Sequence, residues 1–151
     1  MKNNLQKGFS LIEVVIASAI ISIVIFATMS VAQKSLQLSN RSLRQAQANF
    51  LLEEGVEVVK STRDNGWSNI SDLTLDTDYY FEYNSSWSLS LIPNTIDAFT
   101  RTVFFESVFR DVNDDLSSSG TLDDDARKVT ITVSWGSVSR ELSFYLLNIH
   151  E

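Results

Sequence analysis

The chain has 151 residues, a formal net charge of −7 and a pI of about 4.6, so its composition does not favour a nucleic-acid partner. It contains no cysteine, which excludes disulfides, thiol catalysis and cysteine-ligated metals, and its single histidine is His150. A catalytic triad and a histidine-based zinc site are therefore disfavoured, and the composition argues against an enzyme.

The acidity is concentrated in the carboxy-terminal part of the chain. Residues 65–151 contain 14 acidic and 5 basic side chains, whereas residues 34–64 contain 4 acidic and 5 basic ones. An acidic, aromatic-rich segment of this length predicts a soluble head that stays dispersed by self-repulsion.

An apolar run extends from residue 9 to residue 31 and contains one charged side chain, Glu13. At about 1.5 Å per residue it is roughly 35 Å long, enough to cross a bilayer core of about 30 Å. A cleaved secretory signal predicts a shorter run with a small-residue cleavage site, but this one continues into the helical pattern AQKSLQLSNRS. A plain membrane anchor fits the length and leaves Glu13 unexplained, because a charge at membrane depth costs about 2.5–3.5 kcal/mol.

The residues before the run support a third interpretation. The opening MKNNLQKG is short and basic, ends in Gly8, and is followed by Phe9 and, four residues later, by Glu13. This arrangement resembles the prepilin signature of type IV pilins and pseudopilins. The resemblance implies cleavage after Gly8 by a prepilin peptidase, N-methylation of Phe9 by the same type of enzyme, and packing against other pilin subunits through the amino-terminal helix.

The resemblance also gives Glu13 a role in assembly. Its carboxylate would face the cationic Phe9 amine of a neighbouring subunit, or first that of its own chain, because residues four apart share a helix face. The alternative is an acid near a membrane end that reaches for the headgroups.

The charges around the apolar run do not determine its orientation. Lys2 and Lys7 precede the run, but Lys34, Arg41 and Arg44 follow it. The resemblance implies a single-pass protein of the cytoplasmic membrane with its amino terminus inside, and later a periplasmic or extracellular filament.

A continuous helix is predicted well beyond the membrane segment. Neither proline nor glycine occurs in residues 9–54, and Asn65-Gly66 is suited to end the helix. A step of about 100° per residue gives two roughly opposite apolar groups: Leu36, Leu43 and Phe50, and Leu52, Val56 and Val59. We interpret them as one face for the head and one for a helix bundle; alternatively, the second group continues one core around a curved helix. Similar pilins carry a helix-kinking proline in the apolar half, which this sequence lacks, so bending in a filament is left open.

After residue 66 the pattern becomes that of β-strands. Lys128–Trp135 alternates apolar and hydroxylated residues, Gly136-Ser137 suits a two-residue turn, and a second strand follows. The predicted pairs are Trp135 with Val138, Val133 with Arg140, Thr132 with Glu141, Ile131 with Leu142, Thr130 with Ser143 and Val129 with Phe144. Further strands are predicted at Thr100–Asp111, Ser86–Ile92 and Asp78–Tyr83, giving an antiparallel sheet of four or five strands.

The predicted fold is α+β and pilin-like, with a long amino-terminal helix packed on a carboxy-terminal antiparallel sheet. We divide the chain into a leader (1–8), a transmembrane and filament-core helix (9–32), an amphipathic continuation (33–65) and a β-sheet head (66–151). The strand pattern KVTITVSW and SFYLL also resembles that of type IV pilus modification proteins, a group of minor pilins.

The head contains one candidate metal site and two candidate binding residues. Asp111, Asn113 and Asp115 have the spacing with which a calcium loop begins, but Leu116 and Leu122 replace the required glycine and bidentate acid, so an EF-hand is rejected. A looser calcium site that also uses residues 123–125 competes with a simple solvated loop. Trp67 and Trp87 are candidates either for ligand binding or for packing.

The function predicted from the sequence is that of a structural prepilin subunit, a minor pilin of a type IV pilus. A pseudopilin of a type II secretion or competence DNA-uptake system is the alternative within the class. An unprocessed, membrane-tethered binding module is the alternative outside it.

Overall fold

A computed structural model describes residues 10–149 of the chain. The helices are α1 (Leu11–Asp64) and α2 (Ser68–Ser71). The strands are β1 (Asp78–Tyr83), β2 (Trp87–Ser90), β3 (Thr100–Arg110), β4 (Leu116–Ser117), β5 (Thr121–Trp135) and β6 (Val138–Leu147). The predicted α+β fold, one long helix followed by an antiparallel sheet, is confirmed.

Two compact units are present, Met1–Arg44 and Gln45–Glu151. Within the first, every side chain from residue 10 to residue 44 is exposed, and residues 11–44 belong to α1. The second contains the rest of α1 and the sheet. The boundary between these units separates two groups of residues that contact one another densely. It does not test the predicted division into leader, membrane helix, continuation and head, which stays a prediction.

Helix α1 ends at Asp64, next to the predicted stop signal. The Asn65 amide donates to the Ser61 carbonyl (3.1 Å), the Gly66 amide donates to the Arg63 carbonyl (2.9 Å), and Gly66 has a φ of 142°. A side chain at this φ would be strained, so the glycine allows the chain to leave the helix.

The sheet has the order β2-β1-β3-β5-β6, with β4 paired to the outer end of β3, and every pairing is antiparallel. All six residue pairs predicted for the β5–β6 hairpin are confirmed. The three predicted upstream strands are also present, with β2 shorter than expected.

The sheet differs from the prediction between residues 111 and 126. This segment was expected to be a loop, but β4 forms at Leu116–Ser117, and β5 begins at Thr121 and includes the acidic residues 123–125. Residues 121–123 of β5 pair with Val108–Arg110 at the end of β3, beyond a register shift between Ser107 and Val108, and β4 pairs with the same end of β3. The long-range pairing therefore gives six strands in place of four or five.

The core of the second unit lies between α1 and one face of the sheet. Its buried members are Ala48, Leu52, Val58, Val59, Ile70, Tyr79, Phe81, Phe99, Val103, Phe105, Val129, Ile131, Val133, Trp135 and Leu146. Helix and sheet lie in close contact at Gly55, where an added Cβ would lie 3.2 Å from Ile131 Cγ2 and 3.4 Å from Phe81 Cζ. Glycine at this position lets the helix backbone pack directly on the strands.

Candidate functional site

Glu13 lies in the first turn of α1 and is exposed. The Ser10 carbonyl accepts hydrogen bonds from the Glu13 and Val14 amides at 2.9 and 3.2 Å, which begins the helix. A carboxylate in a first helical turn is favoured by the helix dipole by about 0.3–1 kcal/mol. Gly8 and Phe9 lie outside the described residues, so the pairing of Glu13 with a Phe9 amine stays a prediction.

The apolar half of α1 presents a surface compatible with lipid or with other helices. It is the one helix among residues 10–149 that is long and apolar enough to span a membrane. Its hydroxyl groups bond back to carbonyls three or four residues earlier, as in Ser18 to Val15 (2.9 Å) and Ser22 to Ser18 (2.7 Å). Thr28 and Ser30 do the same. These polar groups therefore need no solvent, which a bilayer would not supply.

The two apolar groups predicted on α1 differ sharply in exposure. Leu36, Leu43 and Phe50 are 67%, 59% and 70% exposed, whereas Leu52 and Val59 are buried in the core. The second group therefore packs on the head, and the sequence pattern alone did not indicate which of the two groups would do so. The first is available to another partner, and we call Leu36, Leu43 and Phe50 the exposed stripe.

The predicted calcium residues form a hydrogen-bonded turn after β3. Asp111 Oδ1 accepts from the backbone amides of Asn113 (2.8 Å) and Asp115 (3.0 Å). These amides favour the carboxylate and hold the pKa of Asp111 below its ordinary value. Asp111 is therefore already used to fold its own loop.

Arg110 neutralises part of the surrounding acidic surface. Its Nε donates to Asp123 Oδ2 (2.6 Å) and its Nη1 to the Asp114 carbonyl (2.8 Å). The bond to Asp123 raises the pKa of Arg110. No group of three acidic or histidine side chains among residues 10–149 is arranged to hold a metal ion. Calcium binding at Asp111, Asn113 and Asp115 accordingly stays a prediction of the sequence alone.

The two candidate tryptophans have different surroundings. Trp67 is half-buried against the core, and the Arg127 guanidinium lies 5.8 Å from its ring centroid. Trp87 on β2 is 36% exposed, and its ring centroid lies 5.2 Å from that of Tyr83. Packing accounts for Trp67, whereas Trp87 keeps an accessible surface.

An ion pair between the helix and the sheet, with a buried cation and a half-exposed carboxylate, was not predicted from the sequence. Arg101 on β3 is 1% exposed, and its Nη1 donates to Glu54 Oε2 (2.6 Å) and to the Leu51 carbonyl (2.9 Å). The signal was available in the alternation of β3, because Arg101 shares a sheet face with Val103 and Phe105.

The comparisons agree with the amino-terminal motif. A family model described as "Prokaryotic N-terminal methylation motif" matches residues 3–29. No curated protein and no solved structure matches the chain. The motif and the long apolar helix followed by an antiparallel sheet support a type IV pilin-like prepilin subunit, a membrane-anchored class of structural protein processed by prepilin peptidase and assembled with other pilins.

Proposed function

We propose that the chain is a minor pilin of a type IV pilus, cleaved after Gly8, N-methylated at Phe9 and incorporated into a filament through α1. The observation that carries the proposal is the methylation motif over residues 3–29, which includes the first, exposed and apolar turns of α1. The strand pattern of β5 and β6 favours the modification type of minor pilin. A pseudopilin of a secretion or DNA-uptake system has the same amino-terminal chemistry and is the second candidate.

In the proposed filament, burial of Glu13 is compensated by a cation. A carboxylate taken into a helix bundle without a partner is strongly unfavourable, whereas one facing the Phe9 amine of an adjoining subunit is neutralised. The exposed stripe extends the same contact beyond the membrane, since its three side chains lie one or two heptads apart. The acidic head then faces solvent, where its self-repulsion keeps filaments apart.

Mass spectrometry of the mature amino terminus tests the processing step. Loss of residues 1–8 together with one added methyl group on Phe9 is expected for protein isolated from its native cell. An intact Met1 would overturn the proposal and favour a membrane-tethered binding module.

A second experiment tests the pairing of Glu13. Glu13→Ala and the isosteric Glu13→Gln are expected to reduce the amount of protein in sheared filaments by about tenfold or more, because each leaves the amine without its counter-charge. Membrane levels should be unchanged. Ser22→Ala, which removes one internally bonded hydroxyl from the same helix, is the matched control and should incorporate normally. Normal incorporation of Glu13→Gln would refute the pairing.

A further inference from the structure

A shallow depression of about 290 Å³ lies between the end of α1, α2 and the open edge of β2. Its lining consists of two amides (Asn65 and Asn69), two hydroxyl residues (Thr62 and Ser88), the indole of Trp87 and two leucines. We call it the Trp87 depression. Its volume is at the lower end of the range for small-molecule sites, which suits one or two sugar rings.

The absence of charge among these lining residues is the first indication of a ligand class. The surrounding chain is rich in charge, since residues 65–151 contain 14 acidic and 5 basic side chains. A lining without ionised groups offers little to a metal ion, a phosphate or a carboxylate. Asn69 Nδ2 donates one hydrogen bond to the Thr62 carbonyl (3.4 Å), which leaves its second amide hydrogen and its side-chain oxygen for a ligand. Each amide therefore still offers a donor and an acceptor together, which matches hydroxyl groups that also donate and accept.

The second indication is that the indole is held in place before any ligand binds. Trp87 is paired with Tyr83 across the β1–β2 hairpin, and its centroid lies 5.3 Å from the Arg101 guanidinium carbon. Arg101 is itself buried and bonded to the Leu51 carbonyl. A preorganised aromatic surface provides apolar contact at a small entropic cost.

We propose that the Trp87 depression binds a neutral saccharide unit, with the apolar face of a sugar ring on the indole and its hydroxyls toward Asn65 and Asn69. A sugar ring combines one apolar face with a rim of uncharged donors and acceptors, which is the combination that this lining complements. The inference does not depend on the proposed function, because every residue in it belongs to the second unit.

The test uses the full chain in a polyoxyethylene detergent, since maltoside detergents carry a competing sugar. The neutral probes are lactose, maltose and N,N′-diacetylchitobiose, and sialyllactose is the charged comparison. Binding is followed by saturation-transfer NMR and by titration of tryptophan fluorescence. We expect a neutral probe to bind, Trp87→Ala to weaken it by at least about tenfold, and Trp87→Phe to retain part of the affinity, because a ring stays in place.

Two further variants separate the site from general effects. Asn69→Asp keeps the side-chain shape but introduces a charge and removes donors, so weaker binding of the neutral probe is expected. Tyr145→Ala removes an exposed aromatic ring from β6, outside the depression, and should bind like the wild type. Circular dichroism establishes that each variant is folded.

Several outcomes would overturn the proposal. They are failure of all three neutral probes to bind at about 10 mM, unchanged binding by Trp87→Ala, and binding of sialyllactose alone. A fourth is binding of an uncharged, alternating Ser-Val decapeptide in place of the sugars, which would assign the depression and the open edge of β2 to an extended peptide.

Discussion

Arg101 links the helix to the sheet through a buried cation. Its guanidinium is buried between α1 and β3, with Phe81 and Trp87 ring centroids 4.4 and 5.3 Å from its Cζ. Nε and Nη2 have no hydrogen-bond partner among the described residues, so the rings and Glu54 supply the compensation for burying this cation.

Glu54→Gln is expected to lower the free energy of unfolding by about 1–2 kcal/mol, because the buried cation loses its counter-charge. This loss of stability is smaller than that expected for a fully buried ion pair, because Glu54 is 47% exposed and partly screened by solvent. Urea denaturation of the full chain in detergent measures it. Glu53→Gln changes an exposed neighbour and is the control; equal stabilities of the two variants would show that the ion pair contributes little.

At the scale of an element, α1 presents two faces that serve different purposes. Leu52→Ala is expected to destabilise the fold by about 2–4 kcal/mol, since Leu52 is 6% exposed within the core. Phe50→Ala, two residues earlier on the exposed stripe, should change stability by less than about 0.5 kcal/mol. Thermal unfolding distinguishes the two variants. A large loss for Phe50→Ala would mean that the stripe belongs to the head.

The same pair of variants also addresses assembly. On the proposed function, Phe50→Ala should impair filament incorporation despite normal stability. Normal incorporation would show that the exposed stripe takes no part in the filament contact. It would leave the proposed role of Glu13 unaffected.

We expect the order of the turn at Asp111–Asp115 to depend on pH. The folded state lowers the pKa of Asp111, so the ionised form is favoured there relative to the unfolded chain. The turn's stabilisation is therefore complete above the ordinary carboxyl pKa of about 4 and is lost as the pH falls through the lower folded value. Amide exchange at Asn113 and Asp115 should accelerate, relative to the rest of the sheet and after correction for intrinsic rates, as the pH is lowered into this range. Asp111→Asn should remove this pH dependence.

The β5–β6 hairpin was predictable because its information is local. Strict alternation and a two-residue turn leave one register in which Ile131 and Val129 meet apolar partners. The acidic start of β5 was not predictable in this way. Asp123 and Leu122 join the sheet through pairing with Val108 and Phe109, and nothing in the local pattern of charges indicates such a partner.

The same distinction between local and long-range information applies to the candidate functional residues. Gly8, Phe9 and Glu13 were predicted from a motif that is contiguous in the sequence. The Arg101–Glu54 pair and the Trp87 depression combine residues that are distant in the chain, so they emerge only when the fold brings them together.

For the whole molecule, the core lies in one unit. Its buried members all fall between Ala48 and Leu146. A chain comprising residues 45–151 is therefore expected to fold alone, to unfold cooperatively and to keep its melting temperature within a few degrees of that of the full chain. Circular dichroism with thermal denaturation tests this, and a truncated chain without a cooperative transition would contradict it.

The packing of α1 on the sheet has a mechanical consequence for the second unit. The one glycine of α1, Gly55, lies against Ile131 inside the core, so helix and sheet are in direct contact there. A pull along the axis of α1 within this unit acts as shear on that contact. It is resisted by the packed side chains of the core and by the hydrogen bonds of Arg101 to Leu51 and Glu54.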